Sequence, residues 1–199
     1  MINIGPHEAG ATNRALGEVT VGLTEYSIDY ETLWVGTDPI QGCTDCGYCF
    51  THGECAFSDL VNVAAKKIRS SDGLIIGSPV HYASAANTLF LDRLFRVISK
   101  DVALKAAAAV VSCRRGGASS TFDQLNKYFT ISQMLVVSSA YWNSVHGNNA
   151  SEVEHDHEGL QMMRILGRNM GYVISKLNGV DVSKPNVEKR VWTNFISLE

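Results

Sequence analysis

Residues 73–84 read Gly73-Leu74-Ile75-Ile76-Gly77-Ser78-Pro79-Val80-His81-Tyr82-Ala83-Ser84. A short apolar run, Gly73–Ile76, leads into a loop stiffened by Pro79 and carrying two flat, polar-edged rings. Residues 85–99 follow, with Leu89, Leu91, Leu94, Phe95 and Ile98 at helical spacing. Strand, loop and amphipathic helix form the repeating unit of an α/β fold.

The unit recurs in both directions. Met1–Ile4 and Glu31–Val35 are strand-like runs upstream, Ala107–Val111 and Met134–Ser138 downstream. Ala108-Ala109-Val110-Val111 and Leu135-Val136-Val137 are unbroken apolar, the pattern of parallel strands covered on both faces. Residues 58–69 carry Leu60, Val61, Ala64, Ala65 and Ile68, with Ser58 or Asp59 as N-cap. Residues 119–131 carry Phe122, Leu125 and Phe129. Ser151-Glu152-Val153-Glu154 is a capping-box pattern that predicts one long helix through Leu177. Residues 12–24 suit a helix or a strand, because Gly17 and Gly22 flank alternating Val19, Val21 and Leu23. Neither a linker nor a repeat interrupts the pattern. The expectation is one domain over 1–178, with residues 179–199 as a tail whose Trp192 and Phe195 pack on the body or on a second subunit.

Composition narrows the function classes. The chain has 199 residues, 45% hydrophobic and 19% charged, and a net charge of −3. That charge offers no electrostatic attraction to nucleic acid or anionic membrane. The start, Met-Ile-Asn-Ile-Gly-Pro-His-Glu, lacks the basic and apolar regions of a signal peptide. No run approaches the about eighteen apolar residues of a membrane span. Five cysteines, four of them clustered, fit a reducing cytosol better than a disulfide framework. A cytoplasmic protein is expected.

The cluster is Cys43, Cys46, Cys49 and Cys55, with gaps of two, two and five residues. Three cysteines at two-residue gaps and a fourth beyond suit a [4Fe–4S] cluster, in which neighbouring thiolates reach different irons of one cubane. Gly42, Gly47 and Gly53 let the loop wrap it. Zinc sites usually use two separated pairs. The alternatives are free thiols in an ordered loop, zinc, or a disulfide. Cys113 stands apart.

In open parallel sheets ligands bind beyond the carboxyl ends of the strands. After the first strand comes Gly5-Pro6-His7-Glu8-Ala9-Gly10-Ala11-Thr12-Asn13, a glycine turn entering a helix, where backbone N–H groups and the Thr12 hydroxyl can meet a phosphate. It is neither a Walker A loop nor Gly-x-Gly-x-x-Gly. After the third strand, His81 and Tyr82 offer faces for a planar ring, or cap the core. After the fourth, Ser112-Cys113-Arg114-Arg115-Gly116-Gly117 sets two cations before two glycines at another helix start. That favours a negative group such as a nucleotide phosphate or the N1–C2=O edge of a reduced flavin; the alternative is a solvated arginine pair. His155 and His157 point apart on a helix and do not chelate. His146-Gly147-Asn148-Asn149 reads as a turn, and Met162 and Met163 as core or interface. Gly-x-Ser-x-Gly and His-Glu-x-x-His are absent.

At these intervals the three loops resemble those of the NADPH-dependent FMN reductase family of flavodoxin-like proteins, and the cysteines resemble its iron–sulfur flavoprotein branch. Gly77-Ser78-Pro79-Val80-His81-Tyr82 is similar to the family's Gly-Ser-Pro-Val-Tyr. The first loop keeps Pro6, Gly10 and Thr12, but Gly5 replaces Ser, His7 replaces Arg and Ala11 replaces Asn. Arg114-Arg115-Gly116-Gly117 and Tyr141-Trp142 also resemble family members. The similarity covers about residues 1–178.

The resemblance implies a doubly wound five-stranded parallel sheet of order 2-1-3-4-5. It places Pro6, His7, Gly10, Ala11 and Thr12 around an FMN phosphate. Ser78, Pro79, Val80, His81 and Tyr82 would line the ribityl chain and ring system, and Cys113, Arg114, Arg115, Gly116 and Gly117 would face the pyrimidine end. It implies a homodimer or higher homo-oligomer, with Tyr141 or Trp142 closing the flavin from the partner. The first strand is shorter than the family's. Either an internal methionine starts the chain or a truncation loosens the phosphate site and lowers FMN affinity.

Three functions follow. One is an FMN-dependent NAD(P)H oxidoreductase that reduces a flavin, quinone or other small acceptor. The second is an electron carrier coupling a [4Fe–4S] cluster to FMN, with a ferredoxin-like partner. The third is a flavin-free binding protein.

Overall fold

The computed structural model describes residues 1–193. Two long parallel strands form its centre, β3 (Gly73–His81) and β5 (Ala106–Cys113). They pair without a break from Gly73↔Ala106 to Pro79↔Ser112. Both are buried on two faces, as their apolar runs require. On the β3 side lie β1 (Ile2–Asn3) and then β2 (Leu33–Trp34), both parallel. On the β5 side the edge position is shared by β6 (Leu135–Val136) and β7 (Ser144–His146), which pair with the two ends of β5. The order β2-β1-β3-β5-β6 matches the expected 2-1-3-4-5 sheet.

Helices cover both faces. α1 (Ala11–Thr24) and α7 (His157–Leu177) pack together on one, with the short α6 (Ala150–Val153) beside them. Leu16, Val19, Met163 and Leu166 meet Ala108 and Val110 there. α3 (Leu60–Arg69), α4 (Thr88–Ile98) and α5 (Ala118–Ile131) cover the other, where Phe90, Leu94, Ile98 and Phe129 meet Ile76 and Ala109. The remaining helix is the five-residue α2 (Tyr48–His52), within the cysteine stretch. Among the described residues no helix is long and apolar enough to cross a membrane.

Residues 12–24 form the helix of the two readings: Gly22 serves close packing rather than a strand, since a Cβ there would strike the Arg164 carbonyl oxygen and come within 2.5 Å of the Arg168 nitrogen. Three expectations change. The third strand does not end at Ile76. It runs to His81 and turns back on β4 (Ser84–Ala85) through Tyr82 and Ala83, both left-handed at φ 51° and 57°. The fifth strand is split rather than continuous over 134–138. The long helix is broken at Asp156, whose carboxylate accepts from the Gly159 N–H at 2.9 Å and so starts a new helix. The capping residue upstream is Asn149, not Ser151.

The short first strand stays in the core, with Ile2 and Ile4 buried. Residues 180–193 carry no regular structure. The Tyr26 hydroxyl donates to the Ser183 carbonyl at 3.0 Å and Gln161 Nε2 to that of Lys189 at 3.0 Å. Arg190 lies between the rings of Tyr141 and Trp192, at 4.3 and 4.2 Å. Phe195 lies outside the described residues.

Candidate functional site

The loops after β1, β3 and β5 meet at the carboxyl end of the sheet. The first touches the second at Gly5, where a Cβ would lie 3.2 Å from Pro79 Cδ. It touches the third through Thr12, whose Oγ1 is 2.8 Å from Ser112 Oγ. The second and third meet at Gly117 (φ 88°), where a Cβ would come within 2.7 Å of Val80 Cγ1 and 3.1 Å of the Ala83 Cα. Ser120 Oγ then donates to the Ala83 carbonyl at 2.7 Å. Glycine is required at 117 by both its conformation and its clearance.

Side chains fix the first loop from below. Asn3 Oδ1 accepts from the Gly5 N–H at 2.9 Å, and Trp34 Nε1 donates to the Gly5 carbonyl at 2.9 Å. Asn87 Nδ2 donates to the Ile4 carbonyl at 2.8 Å. Above this base Pro6 and His7 are exposed, and Gly10 and Ala11 half-buried.

The expected site residues divide into two sets. His81, Tyr82, Arg114, Arg115 and Gly116 are exposed around the junction, and Pro79, Val80 and Gly117 are half-buried within it. Arg114 and Arg115 make no ion pair with a described residue. Ser78, Thr12 and Cys113 are buried. Ser78 Oγ donates to the Pro79 carbonyl at 2.7 Å and accepts from the Ala86 N–H at 3.0 Å, so it braces the hairpin.

The helix starts show where an anion fits. α3, α6 and α7 are capped by the side chains of Asp59, Asn149 and Asp156. α2 and α4 start uncapped at Gly47 and Asn87, and α1 and α5, which follow β1 and β5, start at Gly10 and Gly117 with no side-chain cap. Their first-turn N–H groups keep their partial positive charge at the loop junction. With two unpaired arginines and two exposed rings, the donor set suits a phosphate and a planar, electron-accepting ring, the two parts of FMN.

The cysteine stretch follows β2. Left-handed Gly47 (φ 74°) and Gly53 (φ 71°) bracket α2. Cys43, Cys46, Cys49 and Cys55 are free thiols lining one pocket with Phe57 and Arg93. Among the described residues no three Cys, His or carboxylate side chains converge on a single ion. A cubane asks less, since each of its four irons takes one thiolate and the ligands stand around the cluster.

Two groups escaped the sequence reading. Arg93 is a lone charge on the apolar stripe of α4, flanked by Phe90, Leu94 and Val97, and only 1% of its side chain is exposed. The break in that stripe was its one sequence signal. His146 is the other. Its Nδ1 lies 3.5 Å from the buried Asp156 carboxylate, and its ring also bonds Cys113, its register partner across β5 and β7. The Asp156 carboxylate, then Cys113, push its pKa up to about 10 against the opposing effect of burial. It had read as a turn residue because Asp156 and Cys113 are remote in sequence.

A cavity of about 680 Å³ opens at the other end of the sheet, beside Met1, Tyr30, Asp72 and Met170. None of the three loops reaches it.

The model of the NADPH-dependent FMN reductase family matches residues 1–149. The chain belongs to that family. That family is one of flavodoxin-like, FMN-binding oxidoreductases. An iron–sulfur flavoprotein of Methanocaldococcus jannaschii is 28% identical over 186 residues, 87% of this chain and 95% of that protein. An iron–sulfur flavoprotein of Methanosarcina thermophila is 26% identical over 168 residues, 80% of this chain and 86% of that one. A solved flavodoxin, a WrbA-like protein from Agrobacterium tumefaciens, superposes with a TM-score of 0.58 at 14% identity, covering 88% of this chain and 96% of its own. The match confirms the fold.

Proposed function

We propose that the protein is an FMN-dependent oxidoreductase whose cysteine loop holds a [4Fe–4S] cluster. One observation carries the flavin part: three loops converge where two helices begin on uncapped glycines. The lining of one pocket by Cys43, Cys46, Cys49 and Cys55 supports the cluster, as do relatives named iron–sulfur flavoproteins. FMN can exchange one or two electrons and the cluster one, so the pair suits a protein joining one-electron donors to a two-electron acceptor.

This chain's residues bind and orient. The first-turn N–H groups of α1, with Pro6, His7, Gly10 and Ala11, hold the phosphate, and Thr12 ties that turn to β5. Pro79, Val80, His81 and Tyr82 border the ring. Arg114 and Arg115 place positive charge at its pyrimidine end, which favours the reduced, more negative flavin. Tyr141 and Trp142, 53% and 58% exposed, would cover the flavin of a second copy in a homodimer. A reducing, cytoplasmic compartment would keep the five thiols free.

Anaerobic purification with an absorption spectrum, flavin extraction and iron and sulfide analysis tests this. About four irons per chain and one FMN are expected after reconstitution. Failure to bind FMN overturns the proposal. Trace iron removes the cluster and leaves the second reading, an NAD(P)H-driven FMN reductase with a small acceptor, which the family model favours. Steady-state NADPH and NADH oxidation with flavin or quinone tests it.

A further inference from the structure

Arg93 spends its donors on the cysteine loop. Nε and one terminal nitrogen donate to Cys55 Sγ at 3.3 and 3.1 Å. The two terminal nitrogens grip the Asp59 carboxylate at 2.6 and 3.0 Å. The same nitrogens also reach the Gln41 carbonyl at 3.1 Å and that of Phe57 at 3.5 Å. The guanidinium carbon lies 4.8 Å from the Phe57 ring centroid. One buried cation from α4 thus binds the loop on both sides of the cysteines. Asn62 reinforces the far side, accepting from the Cys55 N–H at 2.7 Å and donating to its carbonyl at 3.0 Å.

Burying a guanidinium is costly unless its charge is paired and its donors are used. Asp59 supplies the charge and still caps α3 through the Val61 N–H. A sulfur that receives two N–H bonds differs chemically from three that receive none. Among the described residues no hydrogen bond reaches the sulfurs of Cys43, Cys46 or Cys49. Hydrogen bonds to the sulfurs and nearby charge are two determinants of an iron–sulfur potential.

We infer that Arg93 is a positioning residue for the cluster site: it fixes the Cys55 sulfur before any metal arrives and, in the loaded protein, raises the potential by donating two N–H bonds to that sulfur. This rests on the cluster reading above. N–H donors and positive charge stabilise the reduced cluster, which carries one more electron, so removing them makes reduction harder.

The test uses the full chain and two variants with opposite expected signs. Arg93→Met loses charge and donors at similar length. Asp59→Asn keeps an equally good N-cap while leaving the Arg93 charge uncompensated beside Cys55. The midpoint potential of one-electron reduction, titrated with dithionite and mediators and followed by EPR, should fall in Arg93→Met and rise in Asp59→Asn. Potentials unchanged or moved in the same direction overturn the tuning role. Limited proteolysis of the metal-free protein reads the positioning role separately. Cleavage within residues 42–57 should accelerate about tenfold in Arg93→Met, matching the loss of charge-assisted bonds. An unchanged rate overturns it. If wild-type protein takes up no iron, the cluster reading fails by itself, and the proteolysis still decides whether Arg93 holds the loop. If Arg93→Met does not fold, Asp59→Asn supplies the potential and Arg93→Lys, which keeps charge but loses the fork, the proteolysis.

Discussion

The His146 imidazole faces the Asp156 carboxylate, and Asp156 is also the N-cap of α7. One carboxylate therefore joins the end of the edge strand to the last helix. Because His146 titrates near 10 in the folded chain against 6.5 ordinarily, its contribution to stability is complete below about pH 6.5, declines as pH rises and is gone above about pH 10. Asp156→Asn keeps a cap but loses the charge. Urea unfolding should show a deficit of about 1–2 kcal/mol at pH 6 that narrows toward pH 10.5. NMR titration of the ring proton should show the histidine pKa falling toward its usual range. Tyr82, 96% exposed at the hairpin tip, makes the opposite kind of prediction. Tyr82→Ala should change stability by less than about 0.5 kcal/mol while weakening FMN binding about tenfold, measured by fluorescence titration. The exposed residues of the loop junction were readable as a group because they lie at or just beyond strand ends. Arg93 and His146 were not, because their partners lie tens of residues away and only folding brings them together.

Glycines on two helices decide how closely one layer packs. At Gly167 a Cβ would strike the Val19 carbonyl oxygen and lie 2.9 Å from the Gly22 Cα. The backbones of α1 and α7 are in direct contact, with Arg164 bound to Glu18 and Arg168 to Glu25 beside the crossing. Gly167→Ala or Gly22→Ala should cost about 3 kcal/mol or more in chemical denaturation, since neither helix can retreat without opening the core. Gly17, with open space at its Cβ position, should accept Ala and gain about 0.5 kcal/mol. This explains why α1 was ambiguous in sequence: its glycines lower helix propensity, and their purpose is visible only once α7 is opposite. The divided edge strand was hidden for a related reason. Leu135-Val136-Val137 reads as one apolar strand, and Val137 does donate to the Ala107 carbonyl at 2.8 Å. The chain then leaves the sheet and returns at Asn143, whose carbonyl accepts from Val111 at 2.9 Å. Ser139 and Asn143 hold that excursion through side-chain bonds with no hydrophobic signature.

Over the whole molecule, the sheet is long at its centre and short at its edges, and the proposed flavin site spans three loops from three different strands. FMN would therefore tie together segments that the sheet alone joins through β1 by only a few bonds. At a hundred times its dissociation constant FMN should add about 2.7 kcal/mol, raising the thermal midpoint by about 5–10 °C over the flavin-free protein in scanning calorimetry. The alternation of strands and helices was readable from the apolar runs, and the strand order from the family resemblance. The Arg93 clasp also bears on how the protein is made. Cys55 and Arg93 are 38 residues apart, and the cysteines leave the ribosome first. At ordinary elongation rates of about 5–20 residues per second, the four thiols wait about 2–8 s for their anchor to be synthesised. During that interval the newborn segment is open to oxidants and stray metal ions, so the yield of correctly filled protein should depend on translation speed and on the redox state of the expressing cell.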